Sequence, residues 1–206
     1  MVICRIKILL VVLLVSSSFL FAQNQKKQLT EIYENILIKY ARIKFYEADF
    51  QQENYWKEMD VIKKSQGKVY FDVDHFILKY TEPKGQILMI ENNSVTIYDA
   101  ASNQVFISSN IETELRPDKF ISEYWGNSEK KLIFSQGTAI KLQLTTPNKD
   151  QISILLEDSL IIEILILDAD QNFVLYKFNS AKINEDLPKN IFEITLPEDA
   201  TILDNR

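Results

Sequence analysis

His75 is the only histidine and Cys4 the only cysteine in the chain, so nucleophilic and metal-binding chemistry has few places to start. A lone histidine acts as a general base when a nucleophile and an orienting acid converge on it. His75 stands between Asp74 and Phe76, at the entrance of a predicted strand. No Gly-x-Ser-x-Gly, glycine-rich phosphate loop or His-x-x-x-His pair occurs. Serines, histidine and acids form no recognisable triad pattern. Asp168-x-Asp170-x-Asn172 resembles the start of a calcium loop. However, Phe173 stands where that loop needs glycine, and Asn179 where it needs a bidentate glutamate. A hairpin turn is the expectation there. Asn92-Asn93-Ser94 has the form of a glycosylation sequon and is read as a turn. These residues predict no catalytic group, no metal and no cofactor, hence a binding protein rather than an enzyme.

The N-terminus predicts export. Arg5 and Lys7 precede an apolar run from Ile8 to Val15, and three serines then lead to Phe19-Leu20-Phe21-Ala22. A positive start, a short apolar middle and a small residue at the end make a secretory signal peptide, with cleavage near Ala22. The run is well short of the ~20 residues that span a bilayer. Residues 1–22 are therefore assigned to the signal and 23–206 to a single domain. Cys4 lies before the run, and no cysteine follows it to carry an acyl anchor. The mature protein is expected to be unlipidated, soluble and free of disulfides, its fold held by its core alone.

Charge narrows the partners. Residues 1–22 hold two basic residues and no acid, so the remainder has 21 Lys and Arg against 29 Asp and Glu, a net charge of −8. That argues against nucleic acid and anionic membrane surfaces. A content of 46% hydrophobic and 11% aromatic residues excludes a disordered chain.

The elements that must position any site follow from periodicity. Leu29, Ile32, Tyr33, Ile36, Leu37 and Tyr40 recur at spacings of three and four, which predicts a helix from about Lys27 to Ile43, with Thr30 or a neighbour at its start. From Tyr46 the period becomes two. Val69, Phe71 and Val73 alternate with polar neighbours, as do Phe76, Leu78 and Tyr80, Val95 and Ile97, Val105 and Ile107, Ile140, Leu142 and Leu144, Val174, Tyr176 and Phe178, and Phe192, Ile194 and Leu196. Turn residues separate these runs at short intervals. The pattern predicts one large antiparallel sheet curled into a barrel or half-barrel. Leu160–Leu167 is apolar on both faces apart from Glu163, and is expected to need cover on both sides. Arg116-Pro117-Asp118 through Gly126 predicts a short helix with Phe120, Ile121, Tyr124 and Trp125 on one face, placed as a lid or a core plug.

The order of these pieces resembles the outer-membrane lipoprotein carrier family, LolA, over nearly all of the mature chain. Tyr46-Glu47-Ala48-Asp49-Phe50-Gln51-Gln52 is similar to the family's aromatic-x-Ala-x-Phe-x-Gln strand. Gly67-Lys68-Val69-Tyr70-Phe71 resembles its Gly-x-Leu-Trp-Val strand, and Phe76 to Pro83 its Phe-x-Trp-x-x-x-x-Pro run. Gln86–Ile90 followed by Val95–Asp99 resembles the next strand–turn–strand, and Phe192 to Asp204 the closing segment.

The resemblance implies an incomplete antiparallel β-barrel under a helical lid, an α+β fold that is mainly β. It implies a monomeric periplasmic chaperone without enzymatic activity or cofactor. Such a protein takes acylated lipoproteins from an inner-membrane ABC-type releasing complex to an outer-membrane acceptor lipoprotein. The alternative on the same scaffold is a periplasmic lipid- or peptide-binding module with no trafficking role. Alternation and family position together put Phe50, Val69, Phe71, Phe76, Leu78, Tyr80, Ile87 and Met89 on the wall of an acyl cavity. Phe120, Ile121, Tyr124 and Trp125 are assigned to the lid. One departure bears on that lid. The family carries an arginine shortly before the Phe-x-Trp run that bonds the lid, and Asp72-Val73-Asp74-His75 has none. A lid held by apolar contacts is expected, with His75 or Asp74 as substitute polar latch.

Overall fold

The computed structural model describes residues 23–91, 94–109 and 116–206. The predicted signal peptide and Asn92-Asn93 of the sequon lie outside the described residues. Helix α1 covers 23–41. The strands are β1 (Tyr46–Trp56), β2 (Val61–Phe71), β3 (His75–Glu82), β4 (Ile87–Glu91), β5 (Ser94–Asp99) and β6 (Gln104–Ser109). Helix α2 (Pro117–Trp125) follows, then β7 (Glu129–Gln136), β8 (Ala139–Thr145), β9 (Gln151–Glu157), β10 (Leu160–Leu167), β11 (Phe173–Ile183) and β12 (Thr201–Asp204).

All twelve strands belong to one open sheet in the order β12-β6-β5-β4-β3-β2-β1-β11-β10-β9-β8-β7. The pairs are antiparallel except β12 with β6, which is parallel. The sheet curls into a half-barrel, and both helices lie on its concave face. Hairpin connections suffice because antiparallel neighbours need only tight turns. Gly67 is required where β2 meets β3, since a Cβ there would sit 2.2 Å from the Lys79 carbonyl oxygen.

Helix α1 starts about four residues before the predicted point and ends at Ala41. Thr30 is no cap; its hydroxyl donates to the Lys26 carbonyl within the helix. Arg42 and Ile43 donate to Lys39 and Tyr40, which tightens and closes the last turn. Leu29, Ile32, Ile36 and Tyr40 are buried on the sheet. Tyr40 accepts a hydrogen bond from the Ile161 amide, and Lys39 pairs with Asp158 at 2.8 Å. These contacts seat α1 over β8–β10, where Leu142, Leu144, Ile152, Ile154 and Leu156 are fully buried.

Two expectations change. Among the described residues, strand β10 has cover on one face only. Ile161 and Ile164 are buried beneath the helices, whereas Leu165 and Leu167 stay half-exposed on the convex side, beside Leu175 and Phe173 of β11. Cross-strand neighbours give them partial shelter without a second layer. The alternation at Phe192, Ile194 and Leu196 forms no strand. These three residues are half-buried while Glu193, Thr195 and Pro197 are exposed. Their period of two records a segment leaning with one side on the protein, not one hydrogen-bonded into a ladder.

Candidate functional site

Strands β3, β10 and β11 turn alternate side chains to the concave face, and α2 crosses above them without filling the space. A cavity of about 230 Å³ remains, lined by Phe76, Leu78, Phe120, Glu123, Tyr124, Ile164, Ile166, Val174, Tyr176 and Phe178. The register explains the wall: Ile164 lies opposite Tyr176 and Ile166 opposite Val174. The lining has no nucleophile and no metal-binding set. Burial pushes the Tyr176 phenol up to about 12 and raises that of Tyr80, so both stay neutral.

The structure gathers only part of the predicted wall. Phe76, Leu78, Phe120 and Tyr124 line the cavity. Phe50, Val69 and Phe71 are buried in the adjoining core. There Phe71 stacks on Tyr46 at 4.5 Å. Tyr80 stands edge-on to Phe50 and donates to Gln52 Oε1. Ile87 and Met89 are corrected. They pair with Lys79 and Ile77, so they face the convex side. Leu88 and Ile90, opposite Leu78 and Phe76, hold the inward positions. A single-residue error in register moves a strand's whole apolar set to the other face, and an all-apolar strand such as β4 does not reveal which set is inside. Ile164, Ile166, Val174, Tyr176 and Phe178 complete the wall. Val174, Tyr176 and Phe178 were signalled only by period-two patterning and Ile164 and Ile166 by the doubly apolar run of β10, both far along the chain from Phe76.

The four residues on one face of α2 divide their work. Phe120 and Tyr124 line the cavity. Ile121 is fully buried in the core. Trp125 stacks flat on Tyr33 of α1 at 4.5 Å, which ties the two helices together.

A polar latch is present, and it comes from the lid side. Arg116, immediately before α2, donates from Nη1 to the carbonyls of Asp72 (3.0 Å) and Val73 (3.4 Å). Its Nε bonds Asp118 at 2.7 Å, and its guanidinium lies 5.1 Å above the Phe71 ring. Backbone carbonyls accept whatever the local side chains are, so an arginine on the opposite partner closes the same gap. His75 and Asp74 do not serve as the latch. His75 Nδ1 meets Asp72 at 2.9 Å and Nε2 meets Glu91 at 3.1 Å, while Phe192 stacks on its ring. Burial opposes the charged ring, but bonds to Asp72 and Glu91 outweigh it and raise the pKa. With both nitrogens held by carboxylates, the histidine is a structural clamp for the C-terminal segment. The Asp74 side chain is exposed. Asp168 forms the expected hairpin turn, accepting from the Asn172 amide and side chain at 2.8 Å.

A concave apolar sheet face and a helix over a hollow define a class of half-barrel with an apolar cavity. The chain belongs to the outer membrane lipoprotein carrier protein LolA family, whose model matches residues 41–195. Members of this family are binding or carrier proteins, periplasmic or extracytoplasmic. No curated protein matches the sequence. Among solved structures, an uncharacterized conserved protein from Thermus thermophilus is similar at TM-score 0.56 and 16% identity, covering 86% of this chain and 99% of that one. MucB is similar at TM-score 0.56 and 12% identity, covering 84% of this chain and 63% of that one. The MucA/MucB complex of Pseudomonas aeruginosa gives TM-score 0.53 at 11% identity, over 79% of this chain and 60% of that one. At these identities the likeness concerns the fold. No helix among the described residues is long and apolar enough to cross a membrane.

Proposed function

We propose that the protein is a periplasmic carrier that shelters lipoprotein acyl chains in the cavity beneath α2 and conveys them from the inner to the outer membrane. An inner-membrane ABC-type releasing complex would load it, and an outer-membrane acceptor lipoprotein would receive the cargo. Residues 1–22 would direct export and be removed near Ala22, leaving one domain. The observation that carries this reading is a hollow of about 230 Å³ with an almost wholly apolar wall, closed by a latched helix. Each methylene buried there contributes about 0.8 kcal/mol, set against at least about 4 kcal/mol lost on association. A carrier needs grip of this reversible kind. Whole acyl chains require α2 to lift, so loading should break the Arg116 bonds.

The closed volume also favours the narrower alternative, a periplasmic module that binds one single-chain lipid and transports no lipoprotein. Affinity capture of the protein from cells, with mass spectrometry of what accompanies it, separates the two. Acylated lipoproteins should co-purify, and Val174→Phe, which fills the cavity from a half-buried position, should deplete them while the protein stays folded. Recovery of free lipid alone would overturn the carrier reading.

A further inference from the structure

We infer that the tip of the β1–β2 hairpin is a second functional surface, which inserts into the surface of a lipid bilayer beside the cavity mouth. The hairpin outreaches its neighbour. Strand β2 pairs with β3 only from Gln66 onward, so Val61–Ser65 has β1 as its sole strand partner among the described residues. The projecting end is apolar on both faces. Trp56 pairs with Val61 on the cavity side, and Tyr55 with Ile62 on the convex side. Met59 in the connecting turn is 64% exposed, Ile62 53%, Val61 45% and Trp56 37%. Monomeric proteins seldom leave such a cluster in water without a use for it.

The two-sided exposure selects the partner. A protein docking on the sheet covers one face, whereas a wedge apolar on both faces and at its apex suits a continuous apolar medium. Trp and Tyr are also the aromatic residues favoured at the bilayer interface. Lys57, Lys63 and Lys64 stand against Glu58 and Asp60 there, so the tip is nearly neutral. Insertion rather than attraction to anionic lipid should drive binding, which is compatible with the protein's acidic charge.

The tip is also continuous with the cavity. A second hollow of about 230 Å³ lies between Trp56 and the β10–β11 turn, and Ile166 and Val174 line both spaces. Asn172 Oδ1 accepts a hydrogen bond from the Lys57 amide at 2.9 Å, which pins the tip to that turn. An acyl chain leaving a bilayer at Trp56 therefore meets Ile166 and Val174, which lead beneath α2, beside the polar Asn54, Asp168 and Asn172. This deepens the carrier reading and rests on it for why the protein should visit a membrane.

Flotation of the exported, processed protein with phosphatidylcholine vesicles tests the inference, alongside binding of a fluorescent fatty acid in solution. The wild type should float with the vesicles, with little dependence on salt or added anionic lipid. The double variant Met59→Asp with Ile62→Asp should lose at least about tenfold in vesicle partition. Both sites are exposed, so its urea midpoint and fatty-acid binding should be unchanged. Val174→Phe should do the reverse, floating normally while losing at least about tenfold in fatty-acid affinity. A wild type that stays off the vesicles, or a double variant that floats equally well, overturns the inference. Tip-dependent flotation with no fatty-acid binding by the wild type would instead sink the carrier reading and leave the membrane surface standing.

Discussion

Beneath α1 the concave face of the sheet is solid; beneath α2 it is hollow. Ile154 and Ile164 are cross-strand neighbours on that face, yet the first lies in the fully packed part and the second borders the cavity. The helices account for the difference. Helix α1 has five turns and sends Leu29, Ile32, Ile36 and Tyr40 down into the sheet. Helix α2 has nine residues, and its Ile121 is buried while Trp125 engages α1 sideways. Phe120, Glu123 and Tyr124 remain to roof the space below. Close packing is concentrated in one half and open space in the other, so a cavity can exist without endangering the fold.

The largest effect should separate those halves. Ile154→Ala is expected to cost about 3–4 kcal/mol in urea unfolding, because the methylenes it removes leave a sealed void. Ile164→Ala should cost only about 1–2 kcal/mol, since that side chain already lacks partners on its open side. Equal losses would erase the distinction. Val174→Phe should fill the hollow and lower fatty-acid affinity about tenfold or more, roughly 1.4 kcal/mol, with unfolding stability within about 1 kcal/mol of wild type. Normal binding by that variant would place the ligand elsewhere.

Arg116→Ala tests the latch between the halves. It should destabilise the protein globally by about 1–2 kcal/mol, raise hydrogen exchange across residues 117–125 and speed ligand entry. Exchange changes confined to α1 would contradict the assignment. The smallest effect concerns His75, which touches neither half. Its raised pKa means the folded state binds the proton more tightly than the unfolded one. The stabilisation is full below the ordinary value of about 6.5 and fades as pH rises through the folded value. His75→Gln should therefore lose most stability near pH 5.5 and little near pH 8.5, with fatty-acid binding unchanged at both.

Much of this was legible from residues alone. The apolar stripe of α1, the Pro117 start of α2 and the period-two runs report burial directly, because a helix or strand must turn one face to the core. The resemblance in Tyr46–Gln52 and Phe76–Pro83 pointed to the family that the match over residues 41–195 establishes. The site was less legible. Strand β4, Ile87-Leu88-Met89-Ile90, offers two equivalent apolar faces, and only its pairing with β3 chose between them. The latch was not legible in Asp72–His75, because its acceptors are two backbone carbonyls, which every residue carries.

The sequence by itself determined an acidic chain, a first helix and alternating strands, since composition and local period are properties of the chain alone. Only the tertiary structure decided that β11 and β10 complete the wall begun by Phe76, that Arg116 closes α2, and that the space beneath stays open. Those outcomes depend on which distant residues become neighbours and how completely two helices fill one curved face. No local pattern encodes either.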